Sequence, residues 1–169
     1  MVRVWHPPRP DWERRRVRND DSVVIELQVG DVSIVLPGDV SAEVERELAD
    51  RLQPVPFRVL KAPHHGSASS SSGAFLDAVQ PSIALISCGR QNRFGHPAPS
   101  VLARYRERGV EVFRTDEDGQ ITLRTDGSAV EVATFTGRAW RRPPPIASRP
   151  ATSPPARRVS FPASAGQMP

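Results

Sequence analysis

Cysteine is almost missing from this sequence of 169 residues, which holds one, Cys88. A single thiol excludes an internal disulfide and a cysteine-built zinc cluster. Cys88 closes the apolar run Ile83-Ala-Leu-Ile-Ser-Cys88, so it reads as a small side chain buried at a strand end and not as a nucleophile. Long hydrophobic runs are missing too. No stretch approaches the ~18 apolar residues that a bilayer span requires, and the Arg-rich N-terminus lacks the hydrophobic stretch of a secretory signal. Apolar residues make up 38% of the chain, low for a compact globule. The shortfall is concentrated: residues 138–169 contain no acidic side chain, eight of the eighteen prolines and six arginines. Trp140, Ile146, Val159, Phe161 and Met168 are too few to offset the entropy of ordering that stretch, so residues 137–169 are expected to form a disordered Pro/Arg-rich tail. Net charge divides the same way. The whole chain carries +4 and the tail alone +6, which leaves residues 1–137 with 17 basic against 19 acidic residues, or −2. The high pI therefore implies no basic face on the folded part. The tail reads as a solvated extension or as out-of-frame readthrough past the domain end, or alternatively as a module that touches nucleic acid or an acidic surface.

What remains is patterned. Residues 1–22 read as an irregular segment, with Arg14, Arg15, Arg16 and Arg18 in a solvated loop and His6 in turn packing. A partial domain is expected over 23–136. Ser22–Val29 and Val32–Leu36 are β-branched runs on either side of Gly30-Asp31, which predicts a hairpin. Val44, Leu48 and Leu52 recur at helical spacing, with Ser41 as the cap, and predict an amphipathic helix over 41–52. Pro54 and Pro56 stop it. A short strand follows at Phe57–Lys61, then a helix through Phe75, Leu76 and Val79, a strand over 82–87, and a helix from about Pro99 to Gly109. Strands at 111–114, 120–125 and 129–136 complete the order β-β-α-β-α-β-α-β-β-β, an α/β layered domain.

The residues that carry chemistry fall at three of the turns in this pattern. Asp39, in Leu36-Pro-Gly-Asp-Val40, ends an apolar strand ahead of a helix, where α/β folds place active-site groups; taken alone it also reads as a cap for that helix. His64 and His65, in Lys61-Ala-Pro-His-His-Gly-Ser67, follow the next strand. Neutral imidazole is a common metal ligand, and the glycine after the pair allows a close backbone turn around an ion. His96, in Asn92-Arg-Phe-Gly-His-Pro97, opens toward the same sheet end. It reads either as a group that orients a substrate or a ligand, or as a helix-start histidine bonded to backbone.

Together with Asn19-Asp-Asp-Ser-Val-Val24 and Arg114-Thr-Asp-Glu-Asp-Gly119, these motifs occur in the order and spacing of one known domain. The chain resembles, from about Trp5 to about Thr125, the C-terminal half of the metallo-β-lactamase-like domain of ComEC-type DNA internalization competence proteins. The resemblance implies an αββα sandwich represented by its second half only. It implies that Asp39 bridges two divalent metal ions, zinc or manganese, that His65 with His64 close by ligates the second, and that His96 lines the site. Asn19 and Ser22 would form a structural motif beside it. Pro37 departs from the small hydroxyl residue usual before Gly-Asp.

A larger departure is that the His-x-His-x-Asp-His signature of the fold should lie N-terminal to Trp5, and nothing in residues 1–35 resembles it. A fragment is therefore expected. Two readings follow. In the first, the domain is a nuclease-like or phosphodiesterase-like hydrolase acting on incoming DNA, in which two metals activate water for attack on a phosphodiester. In the second, the chain is a catalytically silent half-domain that awaits its N-terminal half. The resemblance also places the family in the bacterial cytoplasmic membrane, while nothing in this sequence supplies an anchor. The oligomeric state stays open.

Overall fold

The structure, a computed structural model, describes residues 1–7 and 18–143. The strands are β1 (Val2–His6), β2 (Val24–Val29), β3 (Val32–Leu36), β4 (Phe57–Lys61), β5 (Ile83–Ile86), β6 (Glu111–Arg114), β7 (Ile121–Thr125), β8 (Val130–Thr134) and β9 (Ala139–Arg142). The helices are α1 (Ala42–Ala49), α2 (Gly73–Val79), α3 (Pro99–Glu107) and the short α4 (Thr115–Asp118). Single 3-10 turns form at Asn19–Asp21 and Pro63–Gly66.

Six strands lie side by side in chain order, β1 to β6. The first three pair antiparallel, and β3 to β6 run parallel. Each parallel step needs a crossover, and α1, α2 and α3 supply them. All three helices use one face of the sheet. Val44 and Leu48 of α1, Phe75, Leu76 and Val79 of α2, and Val101 and Tyr105 of α3 form one cluster with Val24, Val35, Leu60, Ala84 and Ile86 of the strands. Each fully buried Val, Leu, Ile or Phe side chain among them contributes roughly 1.5–3 kcal/mol.

Strand alternation sends the intervening residues to the opposite face. There Val32, Phe57, Val59, Ile83 and Phe113 pack against Val130 and Val132 of a second, antiparallel sheet, β7-β8-β9. The layers are therefore helices, a mixed six-stranded sheet and a three-stranded sheet, an α/β fold. The smaller sheet does not cover the whole face. Over β1 to β3 the cross-strand rows Val2–Leu27–Ile34 and Val4–Ile25–Leu36 hold no polar side chain, and Val2, Val4 and Leu36 are exposed.

Two of the segment readings are corrected here. The segment over 1–22 is not irregular throughout: β1 pairs with β2, placing Val4 opposite Ile25. Its Val-Arg-Val-Trp alternation is too short to stand out, and its partner strand lies beyond the Asn19–Asp21 turn. The tail reading also starts too early. Ala139–Arg142 forms β9, with Trp140 stacked on Phe57 at 5.8 Å and the Arg142 guanidinium 4.6 Å from the same ring. The remainder of that reading, residues 144–169, and Arg14, Arg15 and Arg16 lie outside the described residues.

Charge is also built into the core. Glu26 accepts hydrogen bonds from Ser33 Oγ (2.6 Å) and Trp5 Nε1 (3.0 Å) and faces Arg58 at 3.8 Å. Arg58 in turn donates to the carbonyls of Val79 and Gln53. Burial pulls the Arg58 guanidinium below its ordinary value, and Glu26 opposes that pull.

Candidate metal centre

The candidate residues lie on the loops that leave the C-terminal ends of β3, β4 and β5, which the parallel order makes neighbours. The structure brings Asp39 and His65 together, with Asp39 Oδ1 3.5 Å from His65 Nε2, and leaves each side chain more than a third exposed. Asp39 is not spent as a helix cap. Ser41 caps α1 by accepting from Glu43 N (3.3 Å), and Ser41 N donates to Asp20 Oδ1 at 2.7 Å. Ser22 Oγ accepts from Asp39 N at 3.1 Å. The turn at Asn19–Asp21 thus braces the Gly38-Asp39 corner from behind. His6 adds to it, its buried ring 2.6 Å from the Asp20 carbonyl.

The histidine turn is held in an uncommon backbone shape. His64 (φ +45°), His65 (φ +55°) and Gly66 (φ +80°) are consecutive left-handed residues. For a residue with a Cβ this costs roughly 1–2 kcal/mol. Neighbours fix it: His64 N donates to the Gly38 carbonyl (3.0 Å), Ser67 N to the His64 carbonyl (2.9 Å), and Ala98 N to the Gly66 carbonyl (2.8 Å). At Gly66 a Cβ would stand 2.8 Å from Pro97 Cβ, so glycine lets the third loop close onto the second.

His65 is oriented by its other nitrogen. Nδ1 lies 2.7 Å from the Ser87 carbonyl, which can only accept, so Nδ1 carries the proton and donates. In the neutral ring Nε2 then presents a lone pair to the Asp39 carboxylate. Two acceptors face each other, an arrangement that calls for a cation or a second proton between them.

His64 sits one step further out, with Nε2 3.5 Å from Asn19 Nδ2. Its ring meets His96 edge-on, centroids 5.8 Å apart. Burial first, then the neighbouring His64 and His65, pulls the His96 imidazole below its ordinary value, against the Asp39 carboxylate. A cavity of about 480 Å³ opens beside this group, lined by His65, Phe94 and His96 among others. All four predicted site residues therefore share one sheet end. Among the described residues, no three His, Cys, Asp or Glu side chains converge as a metal-holding group; Asp39 and His65 form the facing pair.

Lys61 escaped sequence reasoning. It is the one lysine of the chain, at the end of β4. Burial pulls its ammonium below the ordinary value, and the Asp39 carboxylate counters that pull. Its position one residue from the Ala-Pro-His-His turn was the available signal. Cys88 lines the cavity but donates to Asp116 Oδ1 at 3.1 Å. Burial, with the Asp116 carboxylate, pushes its thiol up to about 11.

Fold and site thus define an α/β protein with a carboxylate–imidazole pair at the C-terminal ends of parallel strands. Comparison with known proteins adds relatives to that description. The chain is 36% identical over 121 residues to ComE operon protein 3 of Bacillus subtilis, covering 72% of this chain and 15% of that protein. It is 34% identical over 114 residues to competence protein ComA of Neisseria gonorrhoeae (67% and 16%). It is 36% identical over 108 residues to recombination protein 2 of Haemophilus influenzae (64% and 14%). These similarities support kinship with the ComEC-type competence proteins, and the chain spans about 15% of the length of such relatives. No protein-family model matches it. Among the described residues no helix is long and apolar enough to cross a membrane.

Proposed function

We propose that this chain is the C-terminal half of a metallo-β-lactamase-like hydrolase domain that cleaves phosphodiesters of DNA during uptake in competence. The observation that carries the reading is the apposition of Asp39 and His65 with the His65 Nδ1 proton committed to Ser87. Zinc bonds carboxylate oxygen and imidazole nitrogen at about 2.0–2.2 Å, so one tetrahedral ion would hold two such donors about 3.3–3.5 Å apart. The 3.5 Å separation fits that span. A divalent ion held there supplies Lewis acidity toward a phosphoryl oxygen and acidifies a bound water. The chain's own residues do the positioning. Ser87 fixes the His65 tautomer, Ser22 and Asp20 fix the Asp39 corner, and His96 lines the cavity with the His64 ring edge-on against it. The apolar rows over β1 to β3 support the sandwich half of the reading, because a second sheet with an apolar face would cover them.

One observation favours a second reading for this chain in isolation. Two facing donors are fewer than a dinuclear site needs, which favours a silent half-domain that gains activity on meeting its complement. The test is cleavage of single-stranded DNA with zinc or manganese, by the chain alone and by the chain with the segment that precedes the matched region in a relative. Cleavage is expected with the complement and lost in Asp39→Ala. Cleavage indifferent to Asp39→Ala would remove the assigned role, and two tightly bound metals per chain by calorimetry would remove the silent reading.

A further inference from the structure

The loop between β5 and α3 holds an aromatic ring out in water. Asn92 stiffens it, accepting from His96 N (2.9 Å) and donating to the carbonyls of His96 (2.6 Å) and Gly89 (3.0 Å). At its tip Phe94 is 67% exposed and belongs to neither core cluster. A ring of that size usually buries itself. Here it stacks instead on His96, with centroids 5.8 Å apart and planes 22° from parallel, while the Arg93 guanidinium lies 5.0 Å from its centroid. Phe94 borders the same cavity as His65 and His96. The contacts run His64 to His96 to Phe94 in steps of 5.8 Å, outward from the Asp39–His65 pair.

An exposed aromatic flanked by an arginine, on a braced loop beside a candidate phosphodiester site, has the makings of a stacking surface for unpaired bases. We propose that Phe94 is the platform for one nucleobase of single-stranded DNA, with the Arg93 guanidinium held against the ring, and that it seats the strand so that the adjoining phosphodiester faces Asp39 and His65. The identity of that neighbouring group rests on the hydrolase reading; the stacking itself does not. A duplex keeps its bases stacked inward, so the platform selects single strands.

The test is binding without metal, which separates it from cleavage. A fluorescent single-stranded oligodeoxynucleotide is titrated with the full chain in a chelator, at a salt concentration that screens diffuse arginine contacts. Phe94→Ala is expected to weaken binding roughly 5- to 150-fold, the range found when one stacked base loses its aromatic partner. Phe94→Trp should bind at least as tightly as the parent chain, and Phe94→Leu as weakly as Phe94→Ala. An abasic strand of equal length should bind the parent chain and Phe94→Ala alike. Parent-like binding by Phe94→Leu, an equal loss on the abasic strand, or no binding by the parent chain would each overturn the proposal. The hydrolase reading fails on a different result, the absence of Asp39-dependent cleavage.

Discussion

Replacing Gly38 by alanine imposes two costs that the structure separates. The first is conformational: Gly38 sits at φ +65°, and a Cβ in the left-handed region costs roughly 1–2 kcal/mol. The second is steric. The new Cβ would stand 2.6 Å from Ser22 Cβ and 3.0 Å from Ser22 Oγ, an overpacking that costs roughly 1–3 kcal/mol. Their sum is roughly 2–5 kcal/mol, which lowers Tm by about 4–20 °C in a chain of this size. Ser22→Gly alone removes the hydroxyl that accepts from Asp39 N at 3.1 Å, a loss of about 0.5–1.5 kcal/mol. In the double variant the steric cost vanishes while the conformational one stays. The two substitutions should therefore be less destabilising together than their sum, by about 1–3 kcal/mol. Denaturant unfolding followed by circular dichroism, fitted by linear extrapolation, measures all four corners of the cycle. Strict additivity, or a Gly38→Ala cost below about 1 kcal/mol, would refute the claim that the Asp39 corner is wedged against Ser22.

Three further outcomes follow from the same contacts. Arg58→Ala should destabilise by about 3–5 kcal/mol in the same unfolding assay, because it removes the buried guanidinium facing Glu26 and leaves that carboxylate the part-exposed Arg3 at 3.6 Å as its cation; Glu26→Gln in that background should recover part of the loss. Cys88 should resist iodoacetamide at pH 8, where a thiol raised to about 11 holds about one part in a thousand as thiolate. Because its folded value lies above the unfolded one, alkylation should accelerate, and the thiol's contribution to stability fade, as pH rises from about 9 through about 11. Truncation after Thr136 should lower Tm by removing β9 and the Trp140–Phe57 stack, whereas a chain in which 137–143 play no part in the fold would be indifferent.

Most of the regular structure was legible from periodicity. The hairpin, the three crossover helices and the strands from Phe57 to Thr134 appear close to the expected positions because their apolar spacing is local information. Of the two strands that were missed, β1 pairs with the sequence-distant β2 (Val4 opposite Ile25), while β9 folds straight back on β8 (Ala139 opposite Ala133) and its side chains argue against it. Arg141 and Arg142 suggest a solvated tail, yet Arg142 lies over the Phe57 ring and Arg141 pairs with Glu131 at 3.1 Å. Glu26 and Arg58 are charged residues whose burial no alternation pattern can announce. At the site, loop position was enough to anticipate that Asp39, His64, His65 and His96 would gather at one sheet end. The left-handed run at His64–Gly66 and the hold of Ser87 on His65 were not legible, since both depend on backbone groups that any residue could supply.

The neighbour-by-neighbour order of β3, β4, β5 and β6 has a vectorial consequence. Asp39, the histidine turn and the Phe94 loop all come from the stretch between Gly38 and Pro97, and each strand pairs with the one made just before it. A ribosome emitting this chain delivers every candidate ligand before the first residue of the covering β7-β8-β9 sheet emerges. Within this chain the candidate residues thus precede the smaller sheet, which packs on the face of the six-stranded sheet away from the helices.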